Sequence, residues 1–144
     1  MLPRERRSPF PRLTDDNHRV TSPETDEYNC AAWAVGDDQR WWWPTQTSYW
    51  PGKRLNNTLE AFEEGLGLTG WEVCENAEVE VGYEKLAIYA DTDGRPRHVA
   101  RQLVDGRWTS KLGEWEDVEH EALEDLDSPD YGTAQMFMRK RRDA

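Results

Sequence analysis

Lys85-Leu86-Ala87-Ile88-Tyr89-Ala90, Asp91-Thr92-Asp93-Gly94, Arg97-His98-Val99-Ala100-Arg101-Gln102-Leu103, Asp105-Gly106 and Arg107-Trp108-Thr109-Ser110-Lys111-Leu112 follow one another almost without interruption. Three runs of strand formers alternate with two turn signals. Asp-Gly is a strong two-residue hairpin signal, and a glycine closing Asp-Thr-Asp-Gly suits a tight turn. Short apolar runs joined this way predict neighbouring antiparallel strands. Downstream, Tyr131-Gly132 reads as a turn. Thr133 to Arg139 reads as a last strand with Ala134, Met136 and Met138 on its inward face. The acidic residues 116–126 read as a short helix or irregular segment.

Upstream the period changes. Tyr28-Asn29-Cys30-Ala31-Ala32-Trp33-Ala34-Val35-Gly36 predicts a short small-residue helix, with the glycine as its natural stop. A second helix is expected from Asn57, as an N-cap with Glu60 three residues on, through Leu59, Phe62 and Leu66. Between them, residues 37–54 read as an ordered loop rich in aromatics, broken by proline after Trp43 and after Trp50. Trp71 to Cys74 reads as a short extended segment, with Cys74 buried and inert. Helices followed by an antiparallel meander predict an α+β fold with the N-terminal helices on one face of the sheet. The expected organisation is an extended N-terminal arm over 1–27, one α+β domain over 28–139, and a basic tail over 140–144.

The totals narrow the function. The chain has 144 residues, enough for one domain with a real core, and a net charge of −11, which disfavours phosphate binding and so nucleic acid. Its basic clusters, Arg4-Glu5-Arg6-Arg7 and Arg139-Lys140-Arg141-Arg142, sit at the ends and read as solvated termini. No apolar run approaches the ~20 residues that span a bilayer. No apolar segment follows the first arginines as in a secretory signal. The expectation is a cytoplasmic protein with no membrane attachment. Cys30 and Cys74 are the only cysteines. Metal-ligand spacings, Gly-rich phosphate loops and dinucleotide fingerprints are lacking, so neither a metal nor a cofactor is expected.

The chemistry-bearing candidates are a cysteine and a histidine. A helix N-terminus favours the thiolate, which is the nucleophilic form. A nucleophilic thiol also needs a base within reach, and that base needs an orienting partner. Cys30 is the candidate nucleophile. His98, opening a strand after a tight turn, is the candidate base. Ser110, on the strand returned by Asp105-Gly106, is the candidate orienter, with Asp117 as the substitute. Asn29 and Tyr28 stand beside the thiol as supporting groups, with helix-start N–H groups for a developing oxyanion. Trp41, Trp42, Trp43 and Trp50 are candidates for a cleft wall. Arg101 and Lys111 are candidate cations for an acidic substrate group. His120, among acidic neighbours, is a second candidate base. Each has a plain counterpart: Cys30 and His98 as core, the tryptophans as a lid on it, and the cations as partners of surrounding acid.

Asn29-Cys30 ahead of a small-residue helix, His98-Val99-Ala100 and Ser110 after a hairpin resemble the papain-like cysteine peptidases in their NlpC/P60-type arrangement. This chain has Asn29 and Ala31 where that pattern has Asp and Ser. The resemblance implies a papain-like architecture and a cysteine hydrolase or acyltransferase acting on an amide or thioester bond of a small-molecule or peptide substrate. Tyr28 to Ala34, Trp41-Trp42-Trp43-Pro44, His98 to Leu103, Gly106 to Gly113 and Asp117-Val118-Glu119-His120 also look like a family of uncharacterised bacterial domains. The alternative is a catalytically silent binding or interaction module on the same fold, itself of a toxin- or immunity-associated kind and with a protein partner.

Overall fold

A computed structural model describes residues 2, 4–112 and 114–142. Its frame is a seven-stranded antiparallel sheet, with strands β1 (His18–Ser22), β2 (Glu72–Cys74), β3 (Tyr83–Ala90), β4 (Pro96–Gln102), β5 (Trp108–Lys111), β6 (Asp117–His120) and β7 (Thr133–Arg141). Their spatial order is β1-β6-β5-β4-β3-β7-β2. The four consecutive strands β3 to β6 form the meander expected from the sequence. β7 returns to the far side of β3, and the short strands β1 and β2 close the edges.

Two parts of this sheet differ from the sequence reading. Residues 18–22, assigned to an extended arm, form an edge strand on β6, with Val20 opposite Val118. Residues 117–120 are strand rather than a short helix or irregular segment, and a 3-10 turn (Leu123–Leu126) follows. The acidic side chains disguise β6, because its buried positions include Asp117 and His120 as well as Val118. At the other end, Lys140 and Arg141 extend β7, and residues 143–144 lie outside the described residues. The N-terminal cluster is also built in. Arg4–Arg7 is a short helix, α1, from which Arg6 pairs with Glu116 and Glu24.

The helices cover one face. α2 (Cys30–Ala34) is capped by Asn29, whose Oδ1 accepts from the Ala32 N–H. Gly36, at φ +87, carries the backbone out of the helix in the left-handed region. α3 (Leu59–Gly67) begins one residue later than predicted: Thr58, not Asn57, accepts from the Ala61 N–H. Ala31, Ala32, Phe62 and Leu66 from these helices pack with Trp42 and Trp50 on Leu86, Ile88, Val99 and Met138 of the sheet. Each large side chain sealed there contributes about 1.5–3 kcal/mol. Trp50 lies flat on Gly65, where an added Cβ would fall 2.4 Å from its indole nitrogen.

The opposite face is covered by the N-terminal segment. Leu2, Phe10 and Leu13 pack there with Ala87, Tyr89, Ala100, Trp108, Val118 and Leu126. On β7, Met136 and Met138 face the helices as expected. Ala134 packs on this second face, because a register shift between Ile88 and Tyr89 reverses the alternation. Cys74 is partly exposed on the edge strand rather than sealed in the core.

Candidate functional site

Side chains directly opposite on neighbouring strands share a face, and successive residues alternate. Ile88 lies opposite Val99, and both pack under the helices. Tyr89 lies opposite His98, on the other face. The sheet therefore separates the two residues that the sequence reading paired. The Cys30 sulfur lies against the Val99 backbone on the helix side. The His98 imidazole lies on the other face, stacked on Tyr131 (centroids 4.3 Å apart, planes 9° apart) and edge-on to Tyr89 at 5.3 Å.

Among the described residues neither ring nitrogen of His98 has a hydrogen-bond partner, Cys30 included. Burial drives His98 well below the ordinary imidazole range, with His120 adding to the depression. Burial likewise pushes the Cys30 thiol up to about 11, against smaller opposing contributions from nearby N–H groups and Lys111. A thiolate–imidazolium pair needs both shifts reversed.

Ser110 is on the His98 face too, but it is engaged elsewhere. Its hydroxyl is 2.8 Å from His120 Nε2, and the other ring nitrogen of His120 faces the Ala122 carbonyl at 3.0 Å. Burial lowers His120 to about 4. Its acidic sequence neighbours do not protonate it, because Glu119 points the other way to Arg19 and Arg107.

Beside Cys30 the structure instead gathers Tyr28, Lys111 and Asp117. Lys111 and Asp117 are cross-strand partners on the helix face. Both are fully buried. Tyr28 donates to Asp117 Oδ2 at 2.7 Å. Lys111 Nζ donates to the Thr25 carbonyl at 2.7 Å and to the Trp115 carbonyl, and sits 5.3 Å from the Tyr28 ring centroid. This buried cluster ties the segment entering α2 to strands β5 and β6. Burial lowers the Lys111 ammonium, while Asp117 and Cys30 pull it back up. Sequence reasoning named these residues, but as separate supporting and substrate-binding groups. Their adjacency comes from the β5–β6 register, which is not legible when residues 116–126 read as a short helix or irregular segment.

Asn29 is fixed in place by its structural bonds. Its amide is spent on capping and on the backbone of Trp42, to which it donates at 2.9 Å and from which it accepts at 3.0 Å. Arg101 lies over Trp33 and donates to its carbonyl, closing the far end of α2.

One opening remains at the near end of α2. A cleft of about 350 Å³ is lined there by Asn29 and Cys30. Trp41, Trp43, Thr45, Thr47, Ser48 and Arg97 complete its lining. Of the four predicted wall tryptophans, Trp41 and Trp43 line it. Trp42 and Trp50 are core, and Trp42 is fixed by an indole hydrogen bond to Asp37. Cys30, 6% exposed, is only grazed by the cleft.

Fold and site together define an α+β domain with an aromatic cleft at the start of a cysteine-bearing helix. Over residues 19–139 the sequence matches the family described as Domain of unknown function (DUF7689), and the chain belongs to that family. No curated protein and no solved structure matches it. Among the described residues no helix is long and apolar enough to cross a membrane.

Proposed function

We propose that this domain is a binding module, catalytically silent through cysteine, whose cleft between the start of α2 and the 41–49 loop takes a small-molecule or peptide ligand. One observation carries the reading: the Cys30 thiol and the His98 imidazole lie on opposite faces of the sheet while an aromatic-walled cleft stands open. The papain-like likeness enters this reading as one of architecture, a cysteine-bearing helix lying across a β-meander. The net charge of −11 speaks against nucleic acid and suits a basic protein partner on the outer surface. Two unpaired cysteines are in keeping with a cytoplasmic location.

A second reading, a cysteine hydrolase or acyltransferase at an amide or thioester bond, draws on the opening of Cys30 into the same cleft. It requires His98 to cross to the helix face, or Lys111 to serve as the base. Substrate profiling with amide and thioester panels, run against Cys30→Ala, separates the two. The binding-module reading expects no turnover that depends on Cys30. Turnover abolished by Cys30→Ala overturns it.

A further inference from the structure

We infer that the ligand of this cleft is a neutral saccharide, bound with a pyranose ring against the Trp41 indole; this rests on the binding-module reading above. The aromatic lining, the polar lining and the charge balance each bear on the ligand class.

Trp41 is 39% exposed, although most of the chain's other tryptophans are packed away. Its indole nitrogen is already spent on the Asp26 carbonyl at 2.6 Å, so the ring is held by its polar edge while part of its surface stays open at the cleft. The loop that carries it is pinned by backbone bonds from Tyr49 to the Trp41 carbonyl at 3.2 Å and from Trp43 to the Tyr49 carbonyl at 3.1 Å. Trp43 is braced edge-on against Phe62 at 5.0 Å. These are preset surfaces, so little side-chain freedom is lost on binding. An aromatic face carries negative electrostatic potential. It therefore suits the weakly positive C–H groups that line one side of a pyranose, and it suits an anion poorly.

The polar lining supplies the other half of sugar recognition. Thr45, Thr47 and Ser48 bring three hydroxyls, each able to donate and to accept. Such groups match sugar hydroxyls, which do the same. Arg97 lines the same cleft and is held by Asp91 at 3.3 Å. That carboxylate offsets part of the guanidinium charge, and the N–H groups turned from it remain as donors. The negative charge of the whole chain disfavours an anionic ligand further. A cleft of about 350 Å³ lies at the small end of ordinary ligand pockets and holds roughly one or two hexose units.

The test is titration of the full chain with maltotriose, cellotriose and chitotriose, followed by tryptophan fluorescence and calorimetry. A tetrapeptide and a uronic-acid trisaccharide are run alongside. The expected result is saturable binding of at least one neutral trisaccharide at a Kd below about 10 mM. Trp41→Ala is expected to weaken it by about tenfold or more. Trp41→Phe, which keeps a ring face, guards against loss of folding and should retain part of the affinity; circular dichroism checks all variants. Saturable binding of the tetrapeptide alone, lost in Trp41→Ala, overturns the saccharide assignment and keeps the binding module. Preference for the uronic acid overturns the argument from charge. No saturation by any of these probes overturns the saccharide assignment, and Cys30-dependent turnover overturns the binding-module reading itself.

Discussion

The Tyr28 hydroxyl donates to Asp117 Oδ2 at 2.7 Å, joining residues 89 positions apart in the chain. Asp117 is fully buried, and its other carboxylate oxygen has no hydrogen-bond partner among the described residues. The Tyr28 bond therefore matters disproportionately. Tyr28→Phe should cost about 1.5–3 kcal/mol, the range for a hydrogen bond to a charged group. Urea denaturation would measure it, and a loss under about half a kcal/mol would contradict the assignment.

Lys111→Met should cost more, roughly 3–5 kcal/mol, because it strands the Asp117 carboxylate in the core. The double variant Lys111→Met/Asp117→Leu should recover much of that loss, since an apolar pair of similar size needs no counter-charge. A double variant whose cost equals the sum of the two single costs would show that the two residues are not coupled.

Acid should unfold the domain through its buried histidines. His120 is held at about 4 and His98 is also lowered, both by burial. Unfolded, each titrates near 6.5. Their neutral forms are fully tolerated above pH ~6.5, and stability is lost as pH falls from there toward the folded values, because the unfolded chain binds protons first. His120 alone accounts for roughly 3 kcal/mol across that window. Thermal melts from pH 7 to pH 4.5 should show a steep fall in Tm that is shallower in His120→Gln. A flat profile would contradict the burial of both rings.

Gly132 should be irreplaceable. Its φ is +71, and a Cβ there would meet the Ala90 carbonyl oxygen at 1.9 Å. Gly132→Ala combines a left-handed backbone with a collision against main chain, which cannot move aside as a side chain does. A loss of several kcal/mol is expected, on the order of 3, measured by chemical denaturation. Gly67→Ala serves as the control, because a Cβ there would meet nothing within 4 Å and the backbone is helical.

The meander was legible because its turns carry their own chemistry, Asp91 to Gly94 and Asp105-Gly106, and because apolar runs alternate with them. The strand at 117–120 was not, because two of its buried positions are filled by Asp117 and His120, polar side chains whose partners, Tyr28 far away in sequence and Ser110 on the neighbouring strand, only the fold supplies. The short edge strand at 18–22 pairs with that same strand, so both were missed together. Cys30 at a helix start and Trp41 and Trp43 on a cleft could be read locally. Which face His98 occupies could not: it depends on the register with Tyr89, and a shift between Tyr89 and Ala90 comes just beside it. One residue of register reverses every side chain on a strand.

The separation of Cys30 from His98 is tested most directly by the pH dependence of iodoacetamide alkylation at Cys30, in a Cys74→Ser background. The account predicts slow alkylation that rises only toward a thiol pKa of about 11 and is unchanged by His98→Gln. Rapid alkylation with an inflection well below the free-thiol value of about 8.5, shifted or lost in His98→Gln, would contradict it.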